Sequence, residues 1–208
     1  GVRPRRWRRF DASLPIAERV AIVAGWLAEP PSTRPRLATL YFEHPDSAAH
    51  AHGPGSPQLR AALREVDAAL GWLLDELGRS GVAARTDIVI VSDHGMAEVP
   101  PGQVLATEDL VDPGDAVPVS YGQVLGFRPR PGREAAAERQ LLGRHAHHAC
   151  WRRQQLPARW HYGRHPRVPA IVCQMDEGWS TAPRERIAQW SKTGVRGVHG
   201  FDPALPSM

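Results

Sequence analysis

The chain has 208 residues, a length that suits one α/β domain, or one domain and a small lobe, with a substantial core; 42% of the residues are hydrophobic and 23% charged, as is usual for a globular protein. The formal net charge of +4 does not by itself predict nucleic-acid binding, because the basic residues are scattered outside the first ten positions. No apolar run approaches the ~20 residues that a transmembrane helix needs, and no signal-peptide pattern follows Gly1. Two cysteines are too few for a disulfide scaffold, and either a Cys150–Cys173 bridge or two free thiols would fit the sequence.

Hydrophobic periodicity predicts a βαβ unit in the first half of the chain. Apolar residues recur at helical spacing over residues 15–28 and again, in steps of three and four, over residues 58–80. Two short runs of strand character, residues 37–43 and 88–91, flank the second of these helices. Because a strand, a crossover helix and a strand normally place the two strands side by side in one direction, we expect a parallel pair.

The second half of the chain carries weaker signals. Residues 117–127 predict one or two strands, residues 170–174 a short strand, and the Ala-rich residues 133–147 a helix. Three histidines near the end of that helix are expected to be solvated: His145, His147 and His148. The segments expected to be irregular are 48–57, 152–169 and 194–203.

Residues with metal-ligand chemistry follow the two predicted strands. Asp46 and His50 are four residues apart, which places them on one face if that segment is helical. Asp93 and His94 come just after residues 88–91, and parallel pairing would bring both groups to the same edge of the sheet. His199 lies in a glycine-rich segment near residue 208. Two aspartates and three histidines suit Zn²⁺ or a similar divalent ion, and they are enough to begin two sites.

Three segments carry motifs in a fixed order. Residues 41–54 have the sequence YFEHPDSAAHAHGP, residues 92–96 SDHGM, and residues 197–202 GVHGFD. They resemble the motifs Y-x-E-x-P-D-x-x-G-H-x-x-G-P, SDHGM and G-x-H-G-Y-D of the nucleotide pyrophosphatase/phosphodiesterase family, within the alkaline phosphatase superfamily. Ala49 replaces a glycine of that pattern and Phe201 a tyrosine. If position 49 required a positive φ, the alanine would impose strain of about 1 kcal/mol.

The resemblance implies an α/β fold with an alkaline-phosphatase-like, mostly parallel central sheet flanked by helices and incomplete at both ends. Residues 1–208 would form part of a catalytic domain. The implied enzyme is a hydrolase with two Zn²⁺ or similar divalent ions. It cleaves phosphodiester or pyrophosphate bonds of nucleotides and their derivatives and releases nucleoside 5′-monophosphates.

Matching of motif positions implies the site residues. Asp46, His50 and His199 would hold one ion, and Asp93 with His94 the other. Of the residues around them, His52 is expected either to contact substrate or a ligand or to have a structural role. Asp202 is expected to brace the loop of His199 rather than bind metal.

The family's threonine nucleophile has no counterpart in this sequence, because Thr33 and Thr39 lack the family's context. We therefore expect a fragment with little turnover of its own. Nucleotide small molecules are the expected partners, without sequence-specific nucleic acid. The family lies mostly outside the cytoplasm, which implies a periplasmic or extracellular location and fits a Cys150–Cys173 bridge. Two alternatives are an inactive product that only binds metal and a superfamily relative acting on another phosphate or sulfate ester.

Overall fold

The computed structural model describes residues 3–190, 192 and 196–208. They divide into two compact units, the first formed by Gly1–Ala48 with Gly55–Val91 and the second by Ala49–Pro54 with Ser92–Met208. No helix within the described residues is long and apolar enough to span a membrane.

Helices dominate the first unit. Helix α1 (Ile16–Ala28) and helix α3 (Pro57–Arg79) confirm the two helices that periodicity predicts. Helix α3 begins where the Ser56 side chain accepts a hydrogen bond from the Leu59 amide at 3.1 Å. The two helices share an apolar core: Val20, Ala24, Ala69, Leu73, Leu77 and Val82. Burial of this face, more than helix propensity, stabilises the pair.

Helix α2 (His44–His52) replaces the first part of the loop that the sequence predicts over residues 48–57. Ala49 lies in this helix and is buried. The Gly53 amide donates to the Ala49 carbonyl at 2.8 Å, which ends the helix. Only residues 53–57, which contain the glycines and prolines of the predicted loop, lie outside helix α2.

The two predicted strands of the first half do not form. Residues 37–43 and 88–91 are in none of the described sheets, so the prediction of a parallel βαβ pair is wrong for these segments. Val89, Ile90 and Val91 are 82%, 73% and 83% exposed. A strand needs a neighbour to receive its backbone hydrogen bonds, and the described residues of this unit provide none.

A buried ion pair connects α1 to the residue that precedes α2. Arg19, only 7% exposed, donates to both carboxylate oxygens of Glu43, at 2.5 and 2.9 Å. Its other N–H groups donate to the carbonyl oxygens of Leu14, Asp11 and Tyr41. Hydrogen bonding from Arg19 lowers the pKa of Glu43, against the opposing effect of burial. Glu43 therefore acts as a structural anion in this unit.

The second unit is built on β-sheet. The strands are β1 (Ala97–Val99), β2 (Val104–Ala106), β3 (Ala116–Pro118), β4 (Val124–Pro129), β5 (Gly143–Arg144), β6 (His148–Arg152), β7 (Ile171–Met175), β8 (Ser180–Ala182) and β9 (Arg196–Val198). Five of them form a sheet in the order β3-β4-β7-β6-β5, antiparallel throughout. Strand β1 pairs with β9 antiparallel, and β2 with β8 in parallel.

The mixture of helices and sheets confirms the α/β class, but the expected parallel direction is found only in the β2–β8 pair among the described strands. Of the one or two strands expected over residues 117–127, two are present, β3 and β4, and β7 matches residues 170–174 with a shift of one residue. Residues 153–170 contain only two short 3₁₀ turns, as expected for an irregular segment. Of the loop predicted over residues 194–203, residues 194 and 195 lie outside the described residues, and β9 replaces the next three.

The helix predicted over residues 133–147 is shorter than expected. Helix α4 (Glu134–Leu141) ends because Leu142 takes an extended conformation, and the chain continues into the β5–β6 hairpin. The expectation that His148 is solvated is wrong, since it lies in β6 and is 6% exposed. Burial is the main cause that lowers its pKa from 6.5 to about 4, and the neighbouring His145 adds to the effect.

Cys150 on β6 faces Cys173 on β7 in the strand register, and the two form a disulfide. Of the two alternatives that the sequence left open, the structure has the disulfide and not two free thiols. The bridge lies in the main apolar core of this unit, among Leu125, Phe127 and Ile171.

We expect Arg19→Ala to lower the free energy of unfolding by about 3–5 kcal/mol, because Glu43 would be left as a partly buried charge without its partner. Arg6→Ala is the matched control: Arg6 also holds a carboxylate, that of Glu29, but nearer to solvent, so its loss should change stability much less. Denaturant unfolding measures both variants. If both variants lost the same free energy of unfolding, burial of the Arg19–Glu43 pair would not account for its contribution to stability.

Acid should destabilise the second unit through His148. The unfolded chain takes up a proton on this imidazole near pH 6.5, whereas the folded chain resists until about pH 4. Stability should therefore fall as the pH drops through this window, by a total on the order of 3 kcal/mol. Unfolding measured at a series of pH values should show a shallower acid slope in His148→Leu, and an unchanged slope would exclude this residue as a cause.

Candidate metal centre

Helix α2 places Asp46 and His50 one turn apart on the same face, as the four-residue spacing predicts for a helix. The Nδ1 atom of His50 lies 2.8 Å from the carbonyl oxygen of Gly197. A carbonyl oxygen can only accept a hydrogen bond, so Nδ1 carries the proton and the ring's lone pair is on Nε2. A backbone carbonyl that fixes the tautomer in this way is a frequent companion of histidine metal ligands.

Gly197, in β9, is the point where that strand touches α2. A Cβ atom at this position would lie 2.3 Å from the carbonyl oxygen of Ala49, closer than any side chain tolerates. The absence of a side chain therefore lets the two backbones meet. His199 follows β9, and its ring centroid lies 5.0 Å from that of His50. The two rings offer ligand atoms within 4.8 Å of each other.

Strand pairing brings a third histidine to the same place. Ala97 in β1 is the register partner of Val198 in β9, so the residues before β1 run beside the residue after β9. As a result, the His94 ring stacks on the His199 ring with centroids 3.6 Å apart and an angle of 14° between the planes. Histidines at positions 50, 94 and 199 thus form one cluster in the second unit, defined here as the three-histidine cluster.

Asp93 lies beside His94 and is the more exposed of the two. Its side chain is 73% exposed, and its carboxylate lies 3.6 Å from Nε2 of His94. The aspartate and the histidine are adjacent in sequence and could both face one ion. Such a pair supplies two ligands, whereas structural and catalytic zinc sites use three or four protein ligands.

Gly95 lies where two parts of the backbone come close together. A Cβ atom there would lie 2.0 Å from the carbonyl oxygen of Ser207, so the close approach is to the chain's own backbone. The Nδ1 atom of His94 contacts the Gly95 carbonyl oxygen at 2.9 Å. That contact assigns the proton of His94 to Nδ1 and its lone pair to Nε2.

The substitutions relative to the family pattern are accommodated. His161 is the one non-glycine residue with positive φ among the described residues, so Ala49 does not carry the strain that the sequence allowed for. Phe201 is buried at 4% exposure in the core of this unit. Its aromatic ring supplies packing that needs no hydroxyl group.

Asp202 braces the segment after His199, as expected. Its carboxylate pairs with Arg159 and accepts the Ala204 amide at 3.0 Å. Hydrogen bonding from Arg159 lowers the pKa of Asp202. His52, at the end of α2, is exposed.

The donor chemistry fits a divalent metal ion. Neutral imidazoles and carboxylates are the ligands that zinc and similar ions take when cysteine is not used. Asp46, His50 and His199 form one group of residues whose ligand atoms are close enough to hold an ion. The sequence identifies these residues but not the stacking of His94 on His199, which depends on the β1–β9 register.

Comparisons of the chain with family models, curated proteins and solved structures all match the same kind of protein. A family model described as "Type I phosphodiesterase / nucleotide pyrophosphatase" matches residues 1–202. The chain is 28% identical to bis(5′-adenosyl)-triphosphatase enpp4 of Xenopus laevis over an alignment of 200 residues. This alignment covers 96% of the chain and 42% of the Xenopus protein. It therefore spans less than half the length of this relative.

Solved structures show the same similarity in three dimensions. Murine ectonucleotide pyrophosphatase/phosphodiesterase 5 superposes with a TM-score of 0.84 at 28% identity, over 97% of this chain and 52% of that one. An inactive variant of the murine protein in complex with AMP gives a TM-score of 0.83 at the same identity and coverage.

We expect Gly197→Ala to lower the free energy of unfolding by about 1–3 kcal/mol, since the new methyl group collides with the Ala49 carbonyl. It should also weaken zinc binding, because β9 carries the residue next to His199. Gly102→Ala is the control, with open space around its Cβ position. Thermal unfolding and zinc titration measure both effects, and a Gly197→Ala variant that matches the control in both would refute the close-contact explanation.

Proposed function

Because the chain belongs to the type I phosphodiesterase/nucleotide pyrophosphatase family, we propose that residues 1–208 carry the metal-binding part of a catalytic domain. The proposed reaction is hydrolysis of phosphodiester or pyrophosphate bonds in nucleotides and their derivatives, with release of nucleoside 5′-monophosphates. The observation that carries the proposal is the three-histidine cluster, in which side chains from three distant segments meet. The name of the Xenopus relative and the AMP complex of the murine relative support a nucleotide substrate.

In this proposal Asp46, His50 and His199 hold one Zn²⁺ or similar divalent ion, and Asp93 with His94 hold part of the shell of a second. Two such ions about 3.5–4 Å apart supply Lewis acidity on both sides of a phosphoryl group in the enzymes that use them. The contact chemistry of His50 supports the assignment, because its Nδ1–H is engaged by Gly197 and its lone pair remains on Nε2.

Several groups of the chain would hold the site in its working geometry. The His94 ring lies flat on the His199 ring, which restricts rotation of both imidazoles. The Arg159–Asp202 ion pair restrains the segment that follows His199. His52 is exposed at the end of α2, where it would contact the substrate beside the ligands.

The nucleophile in this proposal is a threonine from a segment outside residues 1–208, as the resemblance implies. The chain spans 42% of the Xenopus relative, so more than half of such a protein has no counterpart in it. The isolated chain should then bind metal and nucleotide fragments with little turnover. An extracellular or periplasmic location is supported by the ectonucleotide name of the murine relative and by the Cys150–Cys173 disulfide.

The metal assignment predicts that His50→Ala and His199→Ala each remove bound zinc. In the oxidised chain, stoichiometry measured by elemental analysis after dialysis should fall by about one ion per chain in either variant. His165→Ala, which removes an exposed loop histidine, is the control and should keep the full zinc content. Full zinc content in His50→Ala would exclude that residue as a ligand.

The catalytic assignment is tested with two products of the same reading frame, residues 1–208 alone and the chain with its in-frame upstream coding sequence. With p-nitrophenyl thymidine 5′-monophosphate, the longer product should turn over and lose its activity on chelation, and His94→Ala should reduce its rate by more than about 100-fold. Robust turnover by residues 1–208 alone would place the nucleophile inside the chain. Faster hydrolysis of a phosphomonoester or sulfate ester would assign another substrate class, and zinc binding without turnover in both products would leave only a metal-binding role.

A further inference from the structure

A second group of potential metal ligands lies in the β5–β6 hairpin, separate from the three-histidine cluster. His145, His148 and Cys150 each offer one ligand atom, and these atoms lie within 4.8 Å of one another. His148 and Cys150 are two residues apart on β6, so their side chains leave the same face of the strand. His145 joins them because the hairpin turn is tight, with the His145 amide donating to the His148 carbonyl at 2.8 Å.

The two imidazoles lie face to face beside the hairpin turn. Their rings stack with centroids 4.4 Å apart and an angle of 7° between the planes. The Nε2 atom of His145 lies 2.8 Å from the Leu141 carbonyl oxygen, so its proton is on Nε2 and its lone pair on Nδ1.

His148 provides an independent sign that a ligand belongs here. The residue is 94% buried, and its Nδ1 atom has no hydrogen-bond partner within the described part of the chain. A buried polar atom without a partner costs about 1–3 kcal/mol, and native structures usually compensate it with water or an ion. An ion bound at Nδ1, along the in-plane lone pair of the ring, would satisfy this nitrogen directly.

The sulfur of Cys150 is the third ligand atom, and its chemistry depends on redox state. In the disulfide with Cys173 it is a poor ligand, because the metal-binding form of cysteine is the thiolate. A dithiol reductant transfers two electrons to the bridge: the S–S bond breaks, both cysteines become thiols, and the reductant becomes a disulfide. On metal binding, the Cys150 thiol releases its proton and the sulfur donates to the ion.

We propose that His145, His148 and Cys150 form a redox-dependent site for Zn²⁺ or a similar thiophilic divalent ion, closed by the Cys150–Cys173 disulfide and opened by its reduction. Cys173, bonded to Cys150 in the oxidised chain, supplies the fourth ligand in the reduced one. Two histidines and two cysteines are a ligand set that zinc uses in structural sites. The metal would then replace the covalent link between β6 and β7. This inference is independent of the proposed phosphodiesterase function.

Cobalt(II) absorption distinguishes this site from the three-histidine cluster. Cys150 and Cys173 are the chain's only cysteines, so a thiolate-to-Co²⁺ charge-transfer band can arise only here. We expect no such band in the oxidised chain. After anaerobic treatment with a phosphine reductant, which adds no sulfur ligand, titration with up to about three equivalents of Co²⁺, enough to supply the two proposed ions of the other centre as well, should produce the band, and excess Zn²⁺ should abolish it. Absence of the band in a folded chain with two titratable thiols would refute the proposal.

Matched cysteine variants separate the ligand from the bridge. Cys173→Ser and Cys150→Ser both remove the disulfide, but only the first keeps the Cys150 thiol beside the two imidazoles. Cys173→Ser should therefore show the band without reductant, at about half intensity because one thiolate replaces two, and Cys150→Ser should show a weaker band that needs more Co²⁺, because Cys173 lies outside the group formed by His145, His148 and Cys150. An equal band in Cys150→Ser would contradict the assignment. Far-UV circular dichroism checks folding, and the reduced wild-type chain decides the matter if a variant does not fold.

Histidine variants test the nitrogen ligands. His148→Ala should lower the affinity for Co²⁺, measured from the thiolate charge-transfer band, by at least about 10-fold. His147→Ala is the matched control, since His147 is the adjacent residue but stacks on Trp179 instead of joining the cluster. Equal affinities in these two variants would show that His148 is not a ligand.

Discussion

The proposed centre depends on one close approach between backbones, the contact of β9 with α2 at Gly197. The Ala49 carbonyl occupies the space that any side chain at position 197 would need, and the Gly197 carbonyl in turn receives the Nδ1–H of His50. This contact brings His199 beside His50, and the β1–β9 register then brings His94 onto His199. The three histidines therefore meet through backbone packing, and the arrangement can be present before any ligand arrives. Such preorganisation is what a metal centre requires of its protein.

Histidines perform different tasks in the two clusters of the second unit. In the three-histidine cluster, backbone carbonyls assign the tautomers of the partly exposed His50 and His94, and no cysteine takes part. In the β5–β6 hairpin, a buried imidazole lies beside the sulfur of a disulfide, in a setting where burial keeps the ring neutral. The ligand softness of the two places therefore differs, with nitrogen and oxygen in the first and nitrogen and sulfur in the second. A reductant should change metal binding at the hairpin group, which contains a cysteine, and not at the three-histidine cluster.

Much of the candidate site could be predicted from the sequence, because the motifs fix residue identities and local spacing. The four-residue spacing of Asp46 and His50 needs only a helix, and periodicity gives α1 and α3 within a residue or two. Residues 88–91 are apolar, as in a strand that is buried on both faces. An apolar run does not determine whether the chain has a neighbouring strand for it to pair with. The Ala-rich segment after residue 133 has helix propensity, yet Leu142 turns the chain into a hairpin and places His148 in the core. Proximity created by strand register, as between His94 and His199, is not encoded in local spacing.

Zinc K-edge X-ray absorption spectroscopy of the oxidised chain, loaded with one equivalent of Zn²⁺, tests the central claim most directly. With the disulfide intact, the account predicts a first shell of nitrogen and oxygen at about 2.0–2.1 Å with the multiple-scattering pattern of at least two imidazoles. This pattern should disappear in His50→Ala and His199→Ala. A shell containing sulfur at about 2.3 Å, or an imidazole pattern unchanged in both variants, would contradict a metal centre built on the three-histidine cluster.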